Sequence, residues 1–281
     1  MEIITSIQEM QKRIQQLKSD GKTIGFVPTM GFLHEGHLTL VEKAREKADL
    51  VVMSIFVNPL QFGPNEDFDR YPRDIERDEK LASEANVDLL FYPTVDEMYK
   101  SKHTFKVTVQ DKVNILCGSK RPGHFDGVAT VLIKLFNIVQ PTYAFFGMKD
   151  AQQVAIVSSL ITEFNFPIEL VPVETVREVD GLAKSSRNVY LTESERKEAV
   201  AISQSLKLAG RLIQGGEENP LEIQKRMETH IMEHTSAEID YIEIYSFPDL
   251  KTVTSISGLV LIAVAIRFTN VRLIDNMTFD V

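Results

Sequence analysis

The chain has 281 residues, 43% hydrophobic and 25% charged, enough for about two domains with ordinary soluble cores. Its 31 Lys and Arg against 40 Asp and Glu leave a formal net charge of −9, which argues against a nucleic-acid binder but permits one small anion site where a few cations gather. A lone cysteine, Cys117, excludes an intrachain disulfide and a cysteine-cluster zinc site, no signal-peptide pattern opens the chain, and the longest apolar run, residues 259–266, falls far short of a membrane span, so a cytoplasmic globular protein is expected.

Ser6-Ile-Gln-Glu9 is a capping-box pattern. Ile7, Met10, Ile14 and Leu17 then recur at helical spacing, and Gly21 stands where a helix stops. Residues 23–27 read as a short buried strand. Leu38, Val41, Ala44 and Ala48 mark the next helix, and residues 50–56 a second buried strand. The alternation continues with a helix over 74–85, a strand over 88–92, a helix over 126–139, a strand over 143–146, a helix over 150–164 and a strand over 168–173. Strands that lack polar alternation and exchange with helices predict an α/β fold, a parallel sheet with helices on both faces. Past about residue 175 the texture changes. Helices over 193–214 and 220–235 precede strands over 239–245, 259–268 and 271–274, as in a smaller α+β domain. The expected domains are residues 1–175 and 176–281.

Ligands of open parallel sheets bind outside the carboxyl ends of the strands, so the segments that follow each strand carry most information. The first is Pro28-Thr-Met-Gly-Phe-Leu-His-Glu-Gly-His37. His34 and His37 are three apart and would face one side of a helical first turn, and Gly36 between them admits close approach to the backbone. Unpaired first-turn amides and the positive end of the helix dipole suit an anion there. Two imidazoles beside it suit a triphosphate whose charge grows during reaction. Two histidines also suggest a metal, but the zinc-protease pattern spaces them four apart, and only His103 and His124 offer themselves as further ligands.

The second segment, Phe56-Val-Asn-Pro-Leu-Gln-Phe-Gly63, opens on a turn and carries Gln61, whose amide both donates and accepts. In the third, Phe145-Phe-Gly-Met-Lys-Asp-Ala-Gln-Gln153, Asp150 is a candidate N-cap, Lys149 a point charge for phosphate and Gln153 a residue one turn into the helix. An ordinary capped helix with a surface lysine reads equally well. The fourth, from Val176 to Asn188, places Lys184, Ser185, Ser186 and Arg187 together after the Asp180-Gly181 turn, a pattern that suits a phosphate clamp or a solvated loop. Arg121, in a basic stretch before a helix, suits a carboxylate, a phosphate or plain solvation.

Four runs in order resemble the pantoate–β-alanine ligase family: Pro-Thr-Met-Gly-x-Leu-His-x-Gly-His over 28–37, Ser-Ile-Phe-Val-Asn-Pro-x-Gln-Phe over 54–62, Phe-Gly-x-Lys-Asp-x-Gln-Gln over 146–153, and Arg-Glu-x-Asp-Gly-Leu-Ala-x-Ser-Ser-Arg-Asn over 177–188. The His-x-Gly-His run alone would imply only the wider nucleotidyltransferase superfamily. The resemblance implies a Rossmann-like nucleotide- and pantoate-binding domain and a C-terminal lid domain. It implies a Mg2+-dependent reaction in which pantoate is adenylated by ATP, releasing pyrophosphate, and β-alanine then displaces AMP to give pantothenate. It also implies a homodimer. By position, Met30, Gly31, Phe32, Leu33, His34, Glu35, Gly36 and His37 would line the ATP site, with His37 the proton donor and His34 its partner on the phosphates. Gln61 and Gln153 would hold pantoate, and Gln61 would border β-alanine. Gly147, Met148, Lys149 and Asp150 would contact ATP, Val176 would meet the adenine, and Lys184, Ser185, Ser186 and Arg187 would form the phosphate loop. A role for Arg121 is implied less directly. The family usually carries methionine where this chain has Lys184. Another nucleotidyltransferase and a non-catalytic nucleotide-binding module are the competing readings. The first would need a second cationic site, and the second would be expected to have lost a histidine or Lys149.

Overall fold

In the computed structural model, residues 1–64, 66, 68–99 and 104–281 are described. His103, a candidate further metal ligand, lies outside the described residues. The chain forms two compact units, Met1–Gly147 with Ile156–Val173, and Met148–Ala155 with Glu174–Val281. No helix among the described residues is long and apolar enough to cross a membrane.

In the first unit, strands β1 (Glu2–Ile4), β2 (Ile24–Thr29), β3 (Leu50–Ile55), β4 (Leu89–Phe91), β5 (Tyr143–Gly147) and β6 (Glu169–Val173) form one sheet in the order β1-β4-β3-β2-β5-β6. Every pair is parallel. The flanking helices are α1 (Ile7–Ser19), α2 (Glu35–Lys47), α3 (Ile75–Glu84), α4 (Val95–Met98), α5 (Leu116–Lys120), α6 (His124–Val139) and α7 (Ala151–Glu163). The expected α/β class with a parallel sheet is therefore present. Consecutive residues of β2 and β3 are buried rather than alternate ones, because both faces of a parallel sheet are covered. Ile24, Phe26, Val51, Val52, Met53, Leu90 and Phe145 make its core.

Some elements escaped the sequence pattern. β1 is three residues with only Ile4 buried, too short to carry a period. Its pairing with β4 is what makes it a strand. α6 starts at His124, ahead of the expected Asp126, on a left-handed Gly123 cap.

The second unit carries an antiparallel sheet, β7 (Glu238–Ser246), β8 (Leu259–Arg267) and β9 (Arg272–Asp280), in that order. Helices α8 (Glu193–Glu198), α9 (Val200–Gln214) and α10 (Pro220–His234) belong to the same unit. Its core joins Ile202, Leu206, Ile223 and Met227 to Ile244, Ile262 and Val264. The helix expected over 193–214 is interrupted at Ala199, where the Ile202 amide bonds back only three residues, to the Ala199 carbonyl, a locally tighter turn. β9 runs six residues past its expected end at Ile274. The apolar pattern stops at Asp275 and Asn276, yet both side chains are buried.

Candidate functional site

β2 lies between β3 and β5. From β2 the chain fills β3 and β4 on one side and later β5 and β6 on the other, so the strand order reverses there. Ligands of open α/β sheets bind at such a switch point, outside the carboxyl ends of the strands. The loop from Met30 to His34 leaves β2 at this place.

Tertiary contacts shape that loop. The Thr29 hydroxyl donates to the Ser54 carbonyl at 2.8 Å and accepts from the Gly31 amide at 3.1 Å. Gly31 has φ +83°, and a Cβ there would lie 2.9 Å from both Asp78 Oδ2 and Ile55 Cγ2, so glycine is required. Asp78, on α3 and 2% exposed, accepts from the Phe32 amide at 2.6 Å and from the Leu33 amide at 2.7 Å. Burial pushes its carboxyl above the ordinary value, with the Leu33 and Phe32 amides and Arg77 pulling the other way. The Arg77 guanidinium sits over the Phe32 ring at 5.0 Å. A cavity of about 210 Å³ borders the loop, lined in part by Met30, Phe56, Arg73 and Asp78. Neither Asp78 nor Arg77 carried any motif signal. The Leu33 side chain lies wholly in the core, so it offers no side chain to a ligand.

The histidines come together by an unusual cap. His34 is extended, not helical, and is the N-cap of α2. Its Nδ1 accepts from the Gly36 amide at 3.1 Å, and His37 Nδ1 accepts from the His34 amide at 3.3 Å. The His37 amide bonds the His34 carbonyl at 2.8 Å. This narrows the expectation of unpaired first-turn amides, because the His34 imidazole takes the Gly36 amide and the cap carbonyl takes the His37 amide. With both Nδ1 atoms accepting, each neutral ring carries its hydrogen on Nε2. The ring centroids are 4.0 Å apart. Among the described residues, no group of three or more His, Cys, Asp or Glu is arranged to hold a metal ion.

Gln61 ends a 3-10 turn, Pro59–Gln61, and is buried. Its Nε2 donates to Met30 Sδ at 3.1 Å, and its Oε1 accepts from Asn58 Nδ2 at 3.2 Å, so two of the predicted residues meet here. Asn58, 1% exposed, also donates to the Gly127 carbonyl at 3.0 Å and accepts from the Tyr99 hydroxyl at 2.8 Å. Burial pushes the Tyr99 hydroxyl well above its ordinary range and keeps it a donor. A Cβ on Gly127 would come 2.2 Å from the Leu60 carbonyl, so α6 packs backbone to backbone on this turn.

Arg121 is neither solvated nor held open for an anion. It bonds both carboxylate oxygens of Glu66, donates to the Gln61 carbonyl at 3.3 Å and lies 3.1 Å from His124 Nε2. His124 Nδ1 is 2.7 Å from the same Gln61 carbonyl, so it acts as the donor and the neutral Nε2 accepts from Arg121. Burial pushes the Glu66 carboxyl up, but the hydrogen bonds and charge of Arg121 outweigh it and hold the carboxyl below its ordinary value. Arg121 and His124 thus clamp the backbone of Gln61.

Gly147 ends β5 in the first unit, and the predicted residues Met148, Lys149, Asp150, Gln153, Val176 and Lys184–Arg187 belong to the second unit. Lys149 and Asp150 form a 3-10 turn with Met148, directly ahead of Gln153 on α7. Val176 opens a small hairpin. Its carbonyl accepts from the Lys184 amide at 2.9 Å, and Arg177 bridges Ala183. Gly181 turns the hairpin at φ +99°. Lys184 pairs with Glu178 at 3.0 Å within the same hairpin. Ser185 caps the following 3-10 turn, Ser186–Tyr190, by accepting the Arg187 amide at 3.3 Å. Its O–H remains a donor, and the stretch is ordered by its own cap.

A family model described as pantoate-beta-alanine ligase matches residues 2–278. A pantothenate synthetase of Geobacillus sp. (strain WCH70) is 62% identical over 281 residues, all of both chains. A crystal structure of pantothenate synthetase from Thermus thermophilus superposes with a TM-score of 0.93 at 43% identity, covering 99% of each chain. A pantoate-beta-alanine ligase from Francisella tularensis, complexed with beta-gamma ATP and beta-alanine, gives 0.80 at 32% identity over 99% of this chain and 97% of that one.

Proposed function

The chain belongs to the pantoate–β-alanine ligase family; its reaction is the ATP-dependent condensation of pantoate with β-alanine, and we propose that the residues described above carry it out as follows. A carboxylate oxygen of pantoate attacks the α-phosphorus of ATP. The bond from that phosphorus to the bridging oxygen breaks, and pyrophosphate leaves. The β-alanine amine then attacks the acyl carbon of pantoyl adenylate, AMP departs with the carbon–oxygen bond electrons, and the amine loses a proton.

Both steps pile negative charge on phosphate oxygens. Donors fixed before reaction stabilise that charge without reorganising. His34 and His37 act through Nε2–H, with His37 the proton donor. Lys149 supplies a point charge and Arg187 a fork of N–H groups. The other ATP contacts are Met30, Gly31, Phe32, Leu33, Glu35 and Gly36 around the first loop, Gly147, Met148 and Asp150 at the second, and Val176, Lys184, Ser185 and Ser186 in the third. Gln61 and Gln153 hold pantoate, and Gln61 also borders β-alanine. Residues 1–175 make the nucleotide- and pantoate-binding domain and residues 176–281 the C-terminal lid domain, although Met148–Ala155, which carries Lys149 and Gln153, and the residues Glu174 and Thr175 group with the second unit.

Mg2+ accompanies ATP. The ion is held mainly by phosphate oxygens, as Mg2+ usually is in nucleotide sites. There it would neutralise phosphate charge. The single cysteine suits a reducing cytoplasm, and the enzyme acts as a homodimer.

The observation that carries this reading is the imidazole pair, 4.0 Å apart, with both Nδ1 atoms engaged at the start of α2. Isotope exchange between ATP and pyrophosphate tests it. Exchange that requires pantoate and proceeds without β-alanine is expected. Exchange absent with pantoate present would refute it.

A further inference from the structure

On the reading that Lys149 and Arg187 contact the ATP phosphates, we infer that Asp275 and Asn276, neighbours on β9, are positioning residues that hold both phosphate-contacting segments of the second unit. The Asn276 side-chain nitrogen donates to the Met148 carbonyl at 2.9 Å and to the Lys149 carbonyl at 2.8 Å. A carboxamide nitrogen has two hydrogens, and here consecutive carbonyls take both. That fixes the peptide plane from which the Lys149 side chain departs.

Asp275, 3% exposed, receives the Arg177 guanidinium as a fork, at 2.6 Å and 3.0 Å. Arg177 also donates to the Gly181 carbonyl at 3.1 Å and to the Asn276 carbonyl at 3.4 Å. It therefore ties the hairpin that leads into Lys184, Ser185, Ser186 and Arg187 to the same point on β9. The Asn276 amide donates to Asp275 Oδ1 at 2.8 Å, which links the two anchors directly.

The sheet does not need these side chains. β9 pairs with β8 without a register shift through Asp275↔Val264 and Asn276↔Ala263, and apolar residues would serve its buried positions as well. The residue types follow their partners instead. Two carbonyls require a donor at 276, and a guanidinium fork requires a carboxylate at 275.

Steady-state kinetics and ATP–pyrophosphate exchange on the purified full chain, well below its melting temperature, test this with Asn276→Asp, Asn276→Ala and Asp275→Asn. At neutral pH a carboxylate at 276 repels both carbonyls, so Asn276→Asp loses about 100-fold in kcat, the scale for a misplaced catalytic group. Its rate relative to the parent recovers in part as acid protonates the new carboxyl and returns a donor. Asn276→Ala loses a similar factor without that recovery, and it carries the test if Asn276→Asp does not fold. Asp275→Asn lowers kcat in the same direction. Parental kcat in Asn276→Ala or in a folded Asn276→Asp, or losses that merely follow melting temperature, would overturn the inference. Lys149→Ala separates the layers. Full turnover there removes the underlying reading. Loss in Lys149→Ala beside parental kcat in the 276 variants removes only this inference.

Discussion

Asp78→Asn separates holding the loop from Met30 to His34 from holding the fold. The native carboxylate accepts the Phe32 and Leu33 amides at 2.6 Å and 2.7 Å. Hydrogen bonds to a charged group contribute about 1.5–3 kcal/mol each. The carboxamide keeps one oxygen, so one bond is lost and an N–H faces an N–H. Against this, the carboxylate is 2% exposed, and burial has raised its pKa from 3.8, so removing the charge also removes a desolvation cost. The net loss of stability is about 1–2 kcal/mol at neutral pH, or about 2–8 °C in melting temperature for a unit of this size. The loop moves into its neighbouring cavity, and kcat falls about 100-fold. Because the folded carboxyl binds its proton more tightly than the unfolded one, its contribution to stability is greatest in acid and declines as pH rises through the raised value. The stability gap between parent and variant therefore narrows toward neutrality, where the kinetic defect persists. Thermal melts from acid to neutral pH, paired with pyrophosphate exchange, check both. Parental exchange rates beside a large drop in melting temperature would show that the carboxylate serves only the fold, and would refute the reasoning.

His37→Ala removes both an Nε2–H donor and the acceptor for the His34 amide, and exchange should fall about 100-fold or more; a rate near that of the parent would take the imidazole out of the mechanism. Gly127→Ala puts a Cβ 2.2 Å from the Leu60 carbonyl, so melting should show a loss of about 1–3 kcal/mol or more, and displacement of Gln61 should raise KM for pantoate. Arg121 holds the Glu66 carboxyl below its ordinary value of 4.5, so the pair's contribution is present above that value and lost as pH falls through the lower folded one. Arg121→Gln should therefore move the acid-unfolding midpoint upward, and an unchanged midpoint would mean the pair adds nothing to acid resistance.

Much of the first unit was legible because its signals are local. Unbroken apolar runs marked β2 and β3, capping patterns marked helix starts, and the strand–loop–helix order pointed to the loops that carry His34, Gln61 and Lys149. The three-residue spacing of His34 and His37 foretold their meeting, although His34 proved to be a cap outside the helix. Arg121 was legible as a basic residue near a site, but not as a clamp on the Gln61 carbonyl, since that depends on Glu66 and His124 across the fold.

By itself the sequence determined the alternation of elements, the loops that follow the strands and the residue types on them, because periodicity, caps and turns are written over a few residues. The tertiary structure decided what holds those loops: Asp78 on the Phe32 and Leu33 amides, Asn58 on Gln61, and Asp275 with Asn276 on the Arg177 and Lys149 segments. These partners stand 45 and 46 residues apart in the chain for Asp78 and 98 and 127 for the β9 pair. No local pattern can announce such partners, because a buried polar side chain is stable only where folding delivers the groups that satisfy it.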